Sequence, residues 1–336
     1  MFFVSRNPAA SFPEIMVSAC AVESKNFYLP VTVIHPAMLA GMRISKVQDS
    51  TLVVAGAYLP SQVSHAIMNF LIPLEHTVAS LGLADRGDVH LLAVTQASSQ
   101  ASAFPFSLTS LGFASLMGAA IDHEVGTLGT LGTLTNLQTG RDLLRPGRAV
   151  CYAKAIVGLN FTCANCPTTP SEEAYTTLRR KASAELGFSV ARPDPLSALL
   201  IRRTARRKIA NEDAVENLLV SLGFRVSLVA IEELSLKTQA REFAQAAVVL
   251  APHGRENVNV HWMFPGSHLI EVFNWSAFGD GLVEAAAAQA GVLYHKLYCE
   301  STECMALNTG DEKGDETAAN LAELEEVLRD IRVKTG

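Results

Sequence analysis

The sequence predicts an α/β protein built as two domains, and three observations carry that expectation. At 336 residues the chain is long enough for two hydrophobic cores of ordinary size. Short apolar runs alternate with segments of helical period in both halves, an alternation that implies parallel sheets with crossover helices. Between the halves lies "ARPDP" (Ala191 to Pro195), stiff and extended because a residue that precedes proline is driven out of helical space. The boundary is expected there, giving domains 1–190 and 191–336.

Composition narrows the class. Apolar residues make up 49% and charged residues 18%, the balance of a globular chain rather than a disordered one. A net charge of −6 argues against a nucleic-acid partner. No uninterrupted apolar run reaches the roughly 18 residues of a membrane span. The first residues, "MFFVSRNPAASFPEIM", lack the layout of a secretory signal. The protein is then either cytosolic or the chain lacks its true start. The cysteines are Cys20, Cys151, Cys163, Cys166, Cys299 and Cys304, an even number that permits disulfides. Cys163, Cys166, Cys299 and Cys304 can also be written as a zinc site. The second spacing is loose and the pairs lie in separate segments, so disulfides rank above zinc. The sequons Asn160-Phe-Thr and Asn274-Trp-Ser tilt toward a lumenal compartment.

Taken in order, residues 1–50 are poorly periodic and read as a truncated start. "TLVVAGAYL" (Thr51 to Leu59) is a buried strand closed by Pro60. Ser64 to Leu81 has helical period, with Pro73 expected to kink it. "VHLLAVT" (Val89 to Thr95) is the next strand and Ser107 to Met117 a short apolar helix. Gly126 to Gly140, with three GTL triplets, reads as a surface loop, or as one that faces an acceptor. "AVCYAKAIVGL" (Ala149 to Leu159) is a strand, and Ser171 caps a helix through Glu185.

The second half is cleaner. "SALLI" (Ser197 to Ile201) is a buried strand that runs into Arg202, Arg203, Arg206, Arg207 and Lys208. Asn211 has the chemistry of an N-cap. Val215, Leu218, Leu219 and Leu222 then form one apolar stripe, which Gly223 closes. The strand "FRVSLVA" follows, then a helix with Ala240, Phe243, Ala244 and Ala247 on one side, then the strand "VVLA". "APHGRENVN" opens a short helix. Pro265-Gly266 makes a turn, "HLIEVF" is a strand, Leu282 to Ala290 a helix and "GVLYHKLY" a last strand. A polar linker, 305–314, leads to an acidic amphipathic helix from Glu316 to Val333.

Two loops carry anion-binding chemistry. Arg202 and Arg207 can clamp a diphosphate through forked, charge-assisted bonds. The His253-Gly254 loop opens a helix, whose first N–H groups lack intrahelical partners. Both follow predicted parallel strands, at the edge where open α/β sheets bind ligands. A solvated basic surface is the plain alternative for the arginine run. Glu271 is either a ribose-binding carboxylate or an exposed strand-end charge. His65 and Asn69 lie one helical turn apart; His65 is either a base or an ordinary satisfied histidine. No G-x-x-x-x-G-K-[ST] or G-x-G-x-x-G motif is present, which weakens ATPase and simple dinucleotide readings.

These segments together resemble glycosyltransferase family 61. Arg202, Arg207, Ile209 and Asn211 match its strand-ending Arg and R-x-I-x-N pattern, and Gln239 a Gln of its next helix. "HGRENVN" is similar to its H-G-A-G-L-T-N loop through His253, Gly254 and Asn259. "FPGSHLIEVF" matches F-x-x-P-G-x-x-x-I-E, "CYAKAIVGL" resembles C-[FY]-x-K-x-V-V-G-L, and "SHAIMNF" resembles H-x-x-x-D-[FL], with Asn69 in place of the acid. The resemblance covers roughly residues 50–300 and is specific in the second half.

The resemblance implies two Rossmann-like domains facing a cleft, the glycosyltransferase-B type. It implies transfer of a sugar from a nucleotide sugar, with UDP expected, to a hydroxyl of a protein or polysaccharide acceptor, inverting and metal-independent. No separate cofactor is expected. Arg202, Arg207, His253, Gly254, Asn259 and Glu271 would bind the donor, with Glu271 on its ribose. His65 and Asn69 would form the acceptor-side catalytic pair. The acidic last helix would pack back across the domain interface. A Golgi or endoplasmic-reticulum location follows, with membrane attachment only through an N-terminal anchor absent from this chain. The departures open an alternative. Asn69 cannot act as a carboxylate base, and Arg255 and Glu256 replace small residues of the loop. A degenerate, catalytically weak member that binds nucleotides or serves as a scaffold would look the same.

Overall fold

A computed structural model of the protein describes residues 2–3, 32–33, 43–57, 67, 72–83, 89–95, 120–122, 148–157, 172–204, 207–273, 281–299 and 316–335. The chain divides into two compact units, Met1–Leu178 and Arg179–Gly336. Among the described residues no helix is long and apolar enough to cross a membrane.

In the first unit, β1 (Phe2–Phe3) pairs with β2 (Thr32–Val33). A four-stranded parallel sheet is built from β3 (Arg43–Ala57), β4 (Val89–Thr95), β5 (Ala120–Asp122) and β6 (Arg148–Val157), in the order β5-β4-β3-β6. Strand β3 starts well before the expected Thr51. Its register against β6 shifts between Ile44 and Lys46 and again between Gln48 and Thr51. Such irregularities break the period of two by which a strand is read from sequence. Helix α1 (Ile72–Ser80) has Pro73 in its first turn. A missing N–H is harmless there, and of the expected helix before it only Ile67 lies within the described residues. His65, Asn69, the Ser107–Met117 helix and the GTL triplets lie outside the described residues.

Helix α2 (Glu172–Leu186) leads into the second unit. There β7 (Ser197–Arg202), β9 (Arg225–Ala230), β10 (Val248–Pro252), β11 (His268–Phe273) and β12 (Leu293–Tyr298) form a five-stranded parallel sheet in the order β12-β11-β10-β7-β9. The intervening helices are α3 (Glu212–Ser221), α4 (Leu236–Gln245) and α5 (Leu282–Ala290), with a 3-10 helix at Arg255–Trp262 after β10. Counted within the unit, the strand order is 2-1-3-4-5, a doubly wound arrangement.

The sheet's two faces differ. Ala198, Leu200, Val248, Leu250, Ile270, Val272 and Leu297 share one core with Val215 and Leu219 of α3. Leu324, Leu328 and Ile331 of the final helix α6 (Leu321–Thr335) complete it. Helix α6 therefore packs on α3, within its own unit. It also starts later than expected, because Glu316–Thr317 forms a short strand instead. That strand, β13, pairs in parallel with β8 (Lys208–Ile209).

Asn211 explains the change. It stands before α3, but its side chain makes no cap bond. Its Nδ2 donates to the Ala319 carbonyl at 2.8 Å, and its Oδ1 accepts from the Ala319 N–H at 2.9 Å. The Ala210 N–H donates to the Thr317 carbonyl at 2.7 Å. The segment after Arg207 is thus stitched to the chain that leads into α6.

Candidate functional site

The strand order places the second unit's switch point between β7 and β10, where the chain's direction of travel across the sheet reverses. Ligands of open α/β sheets bind beyond the carboxyl ends of the strands at that point. Strand β7 ends at Arg202 and β10 at Pro252, so the arginine loop and the His253-Gly254 loop flank it.

The His253 loop is tied down by side chains of its own unit. The His253 N–H continues the ladder to the Val272 carbonyl at 2.9 Å. Its carbonyl accepts from Arg207 Nη1 at 3.1 Å, and Asn257 Nδ2 donates to the Pro252 carbonyl at 3.1 Å. Asn259 Nδ2 donates to the Glu256 carbonyl at 2.9 Å and to Gln239 Oε1 at 3.1 Å. Arg179 of α2 donates to the Trp262 carbonyl at the end of the 3-10 helix at 3.2 Å. His261 in that helix is fully buried, and burial lowers its pKa to about 3, so it is neutral.

Glu271 sits under this loop. Alternation along β11 turns it, with Leu269 and Phe273, away from the α3 face. It is mid-strand and fully buried, so it is not an exposed strand-end charge. Its Oε1 contacts His253 Nδ1 at 2.8 Å and accepts from Asn257 Nδ2 at 2.8 Å. Its Oε2 accepts from the Tyr294 hydroxyl. Burial first, and then the Glu271 charge, push the Tyr294 phenol well above its usual pKa, which keeps it a donor. The His253 ring stacks on Phe273 at 4.8 Å between centroids. With Nδ1 held by Glu271, Nε2 is the ring nitrogen left for a further bond.

The arginines divide by the pleat. Arg202 has the parity of Leu200, which turns it toward α3. There it pairs with Glu212 at 2.5 Å, nearly half exposed, and Glu212 raises its pKa. Arg203 has the opposite parity. Its Nε meets Glu232 at 3.0 Å and its Nη1 meets Glu256 at 2.5 Å. Among the described residues, Arg207 is the non-glycine residue with a left-handed backbone, φ 56°. That costs about 1 kcal/mol and accompanies its reach to the His253 carbonyl.

Of the residues singled out from sequence, the structure brings together Arg207, His253, Gly254 and Glu271, with Asn259 bracing the loop. Arg202 leans away to Glu212, and His65 and Asn69 lie outside the described residues. Sequence reasoning missed the partners Arg203, Asn257 and Tyr294. Strand parity would have separated Arg203 from Arg202, and the same alternation puts Tyr294 on the Glu271 face of β12. Cys299 is held in a disulfide. Among the described residues no group of three His, Cys, Asp or Glu is placed to hold a metal ion.

The model of the family "Glycosyltransferase 61" matches residues 63–270, more than half of the chain. The chain belongs to glycosyltransferase family 61. The match runs through both loops at the switch point and ends one residue before Glu271. The family is one of glycosyltransferases. No curated protein is similar enough to match. Among solved structures, the rubredoxin oxygen:oxidoreductase of the anaerobe Desulfovibrio gigas aligns with 70% of this chain at 10% identity and a TM-score of 0.32. The chain spans about half of that protein, 53%, and a likeness this low says nothing of activity.

Proposed function

We propose that this family 61 chain transfers a sugar from a UDP-sugar to an acceptor hydroxyl with inversion and without a metal ion. The observation that carries the reading is the pair of polar loops flanking the switch point of the second unit. Arg207, His253 and Gly254 would hold the diphosphate, with Asn259 fixing the loop. Glu271 would act as the carboxylate that orients His253, or reach a ribose hydroxyl after rearrangement. Arg202, released from Glu212, would add a further cation. In a single displacement the acceptor oxygen bonds to the anomeric carbon, the bond to the phosphate oxygen breaks, and UDP leaves. Cations facing the leaving diphosphate stabilise its developing charge. His65, with Asn69 beside it, is the proposed acceptor-side pair that takes the hydroxyl proton. The cleft between two Rossmann-like domains and the Golgi or endoplasmic-reticulum location belong to the same proposal, and the disulfide at Cys299 suits an oxidising compartment.

Calorimetric titration with UDP is expected to show binding that Arg207→Ala weakens at least tenfold. Absence of UDP binding to the unaltered protein refutes the reading. A screen of UDP-sugars for hydrolysis, read by mass, identifies the donor.

The second reading, a nucleotide-binding member with little or no catalysis, draws on Asn69 and on Glu256 beside Gly254. If Asn69→Asp creates transferase or hydrolysis activity that the unaltered protein lacks, that reading stands. Activity already present in the unaltered protein removes it.

A further inference from the structure

Gly254 is extended, with φ −177° and ψ 168°, a conformation open to any residue, so its backbone does not require glycine. What glycine leaves here is a space that a neighbouring side chain fills. A Cβ at Gly254 would collide with the carboxylate of Glu256, which folds back against it. That carboxylate is mostly buried, 11% exposed, and Arg203 Nη1 neutralises it at 2.5 Å. Arg203 also binds Glu232. The loop after β10 thus carries a carboxylate, and the segment after β7 its counter-ion, both at the carboxyl edge of the sheet.

We infer that Glu256 sets the donor affinity of the site by occupying, against Gly254 and Arg203, the seat of a donor phosphate. The inference rests on the proposed donor-binding role of this loop. A carboxylate and a phosphate oxygen make the same charge-assisted bonds to a guanidinium, so the two compete for Arg203. A bound diphosphate must displace Glu256, and the displaced charge then stands close to another anion. Both effects weaken binding, and both vanish when the carboxylate is removed. The space beside Gly254 is then filled by one anion or by the other.

The test measures UDP and uridine binding by calorimetry for the unaltered chain, Glu256→Ala and Glu256→Gln, with each melting temperature as a check of folding. Glu256→Ala is expected to bind UDP at least tenfold more tightly and uridine no differently, because uridine has no phosphate. Glu256→Gln keeps the shape but loses the charge, and is expected to fall between; it also serves if the alanine variant does not fold. Adding Arg203→Ala to Glu256→Ala should abolish the gain. UDP affinity that is equal or weaker in both single variants overturns the inference while leaving the donor-site reading intact. So does an equal gain for uridine. If no form of the protein binds UDP, the reading itself falls and the inference with it.

Discussion

The two faces of the second unit's sheet solve different problems. The face against α3 and α6 has an apolar centre: Leu200, Leu250, Ile270 and Val272 meet Leu219, Leu324 and Leu328. The opposite face buries Glu271 between Leu269 and Phe273 and surrounds it with His253, Asn257 and Tyr294. Burying a carboxylate is costly unless every lone pair is engaged. The first face holds the sheet together, and the second keeps a loop in one shape at the switch point. A polar cluster in a sheet interior gains little stability over leucine, so its position under His253 points to the loop rather than to the fold.

Three substitutions sharpen that contrast, from the largest expected effect down. Glu271→Ala leaves the buried Asn257 amide and the half-buried His253 and Tyr294 without this acceptor. It should cost about 3–5 kcal/mol in chemical denaturation, and the fraction that folds should bind UDP at least tenfold more weakly. Unchanged UDP binding in that variant would falsify the link between this face and the site. Leu324→Ala, on the apolar face, should cost about 3 kcal/mol through the cavity it leaves. Its folded form should keep the unaltered UDP affinity, and a parallel loss of affinity would erase the distinction between the faces. Asn211→Ala removes both bonds to Ala319 and should cost about 1–2 kcal/mol. Because Asn211 lies beyond Arg207 on the same short segment, UDP affinity should drop two- to threefold. A change confined to stability would limit the clamp to the fold.

Much of the second unit was legible locally. The apolar runs of β7, β10 and β11 and the stripe of α3 depend on neighbours a few residues away, and the structure follows them within a residue or two. What escaped depends on distance. Asn211 reads as a cap because cap chemistry is local, yet its partner Ala319 is 108 residues away. Glu316–Thr317 reads as the start of a helix because its pairing with Lys208–Ile209 leaves no periodic trace. Strand β3 was read short because its bulges hide its period. At the site, the type of residue was readable and the partner was not. "HGRENVN" announces an altered anion loop. That Glu256 is neutralised by Arg203 is decided by the pleat at the end of another strand.

The stitch between residues 208–211 and 316–319 also orders events during synthesis. The arginine segment leaves the ribosome early, while β13 and α6 follow about a hundred residues later. Until then β8 lacks its partner strand, Asn211 has nothing to grip, and one face of the sheet lacks Leu324, Leu328 and Ile331. The Arg207 end of the site is therefore finished only when this late segment docks. A nascent chain that already carries every residue of both loops still lacks the strand that pairs with β8 and the side chains that complete the core.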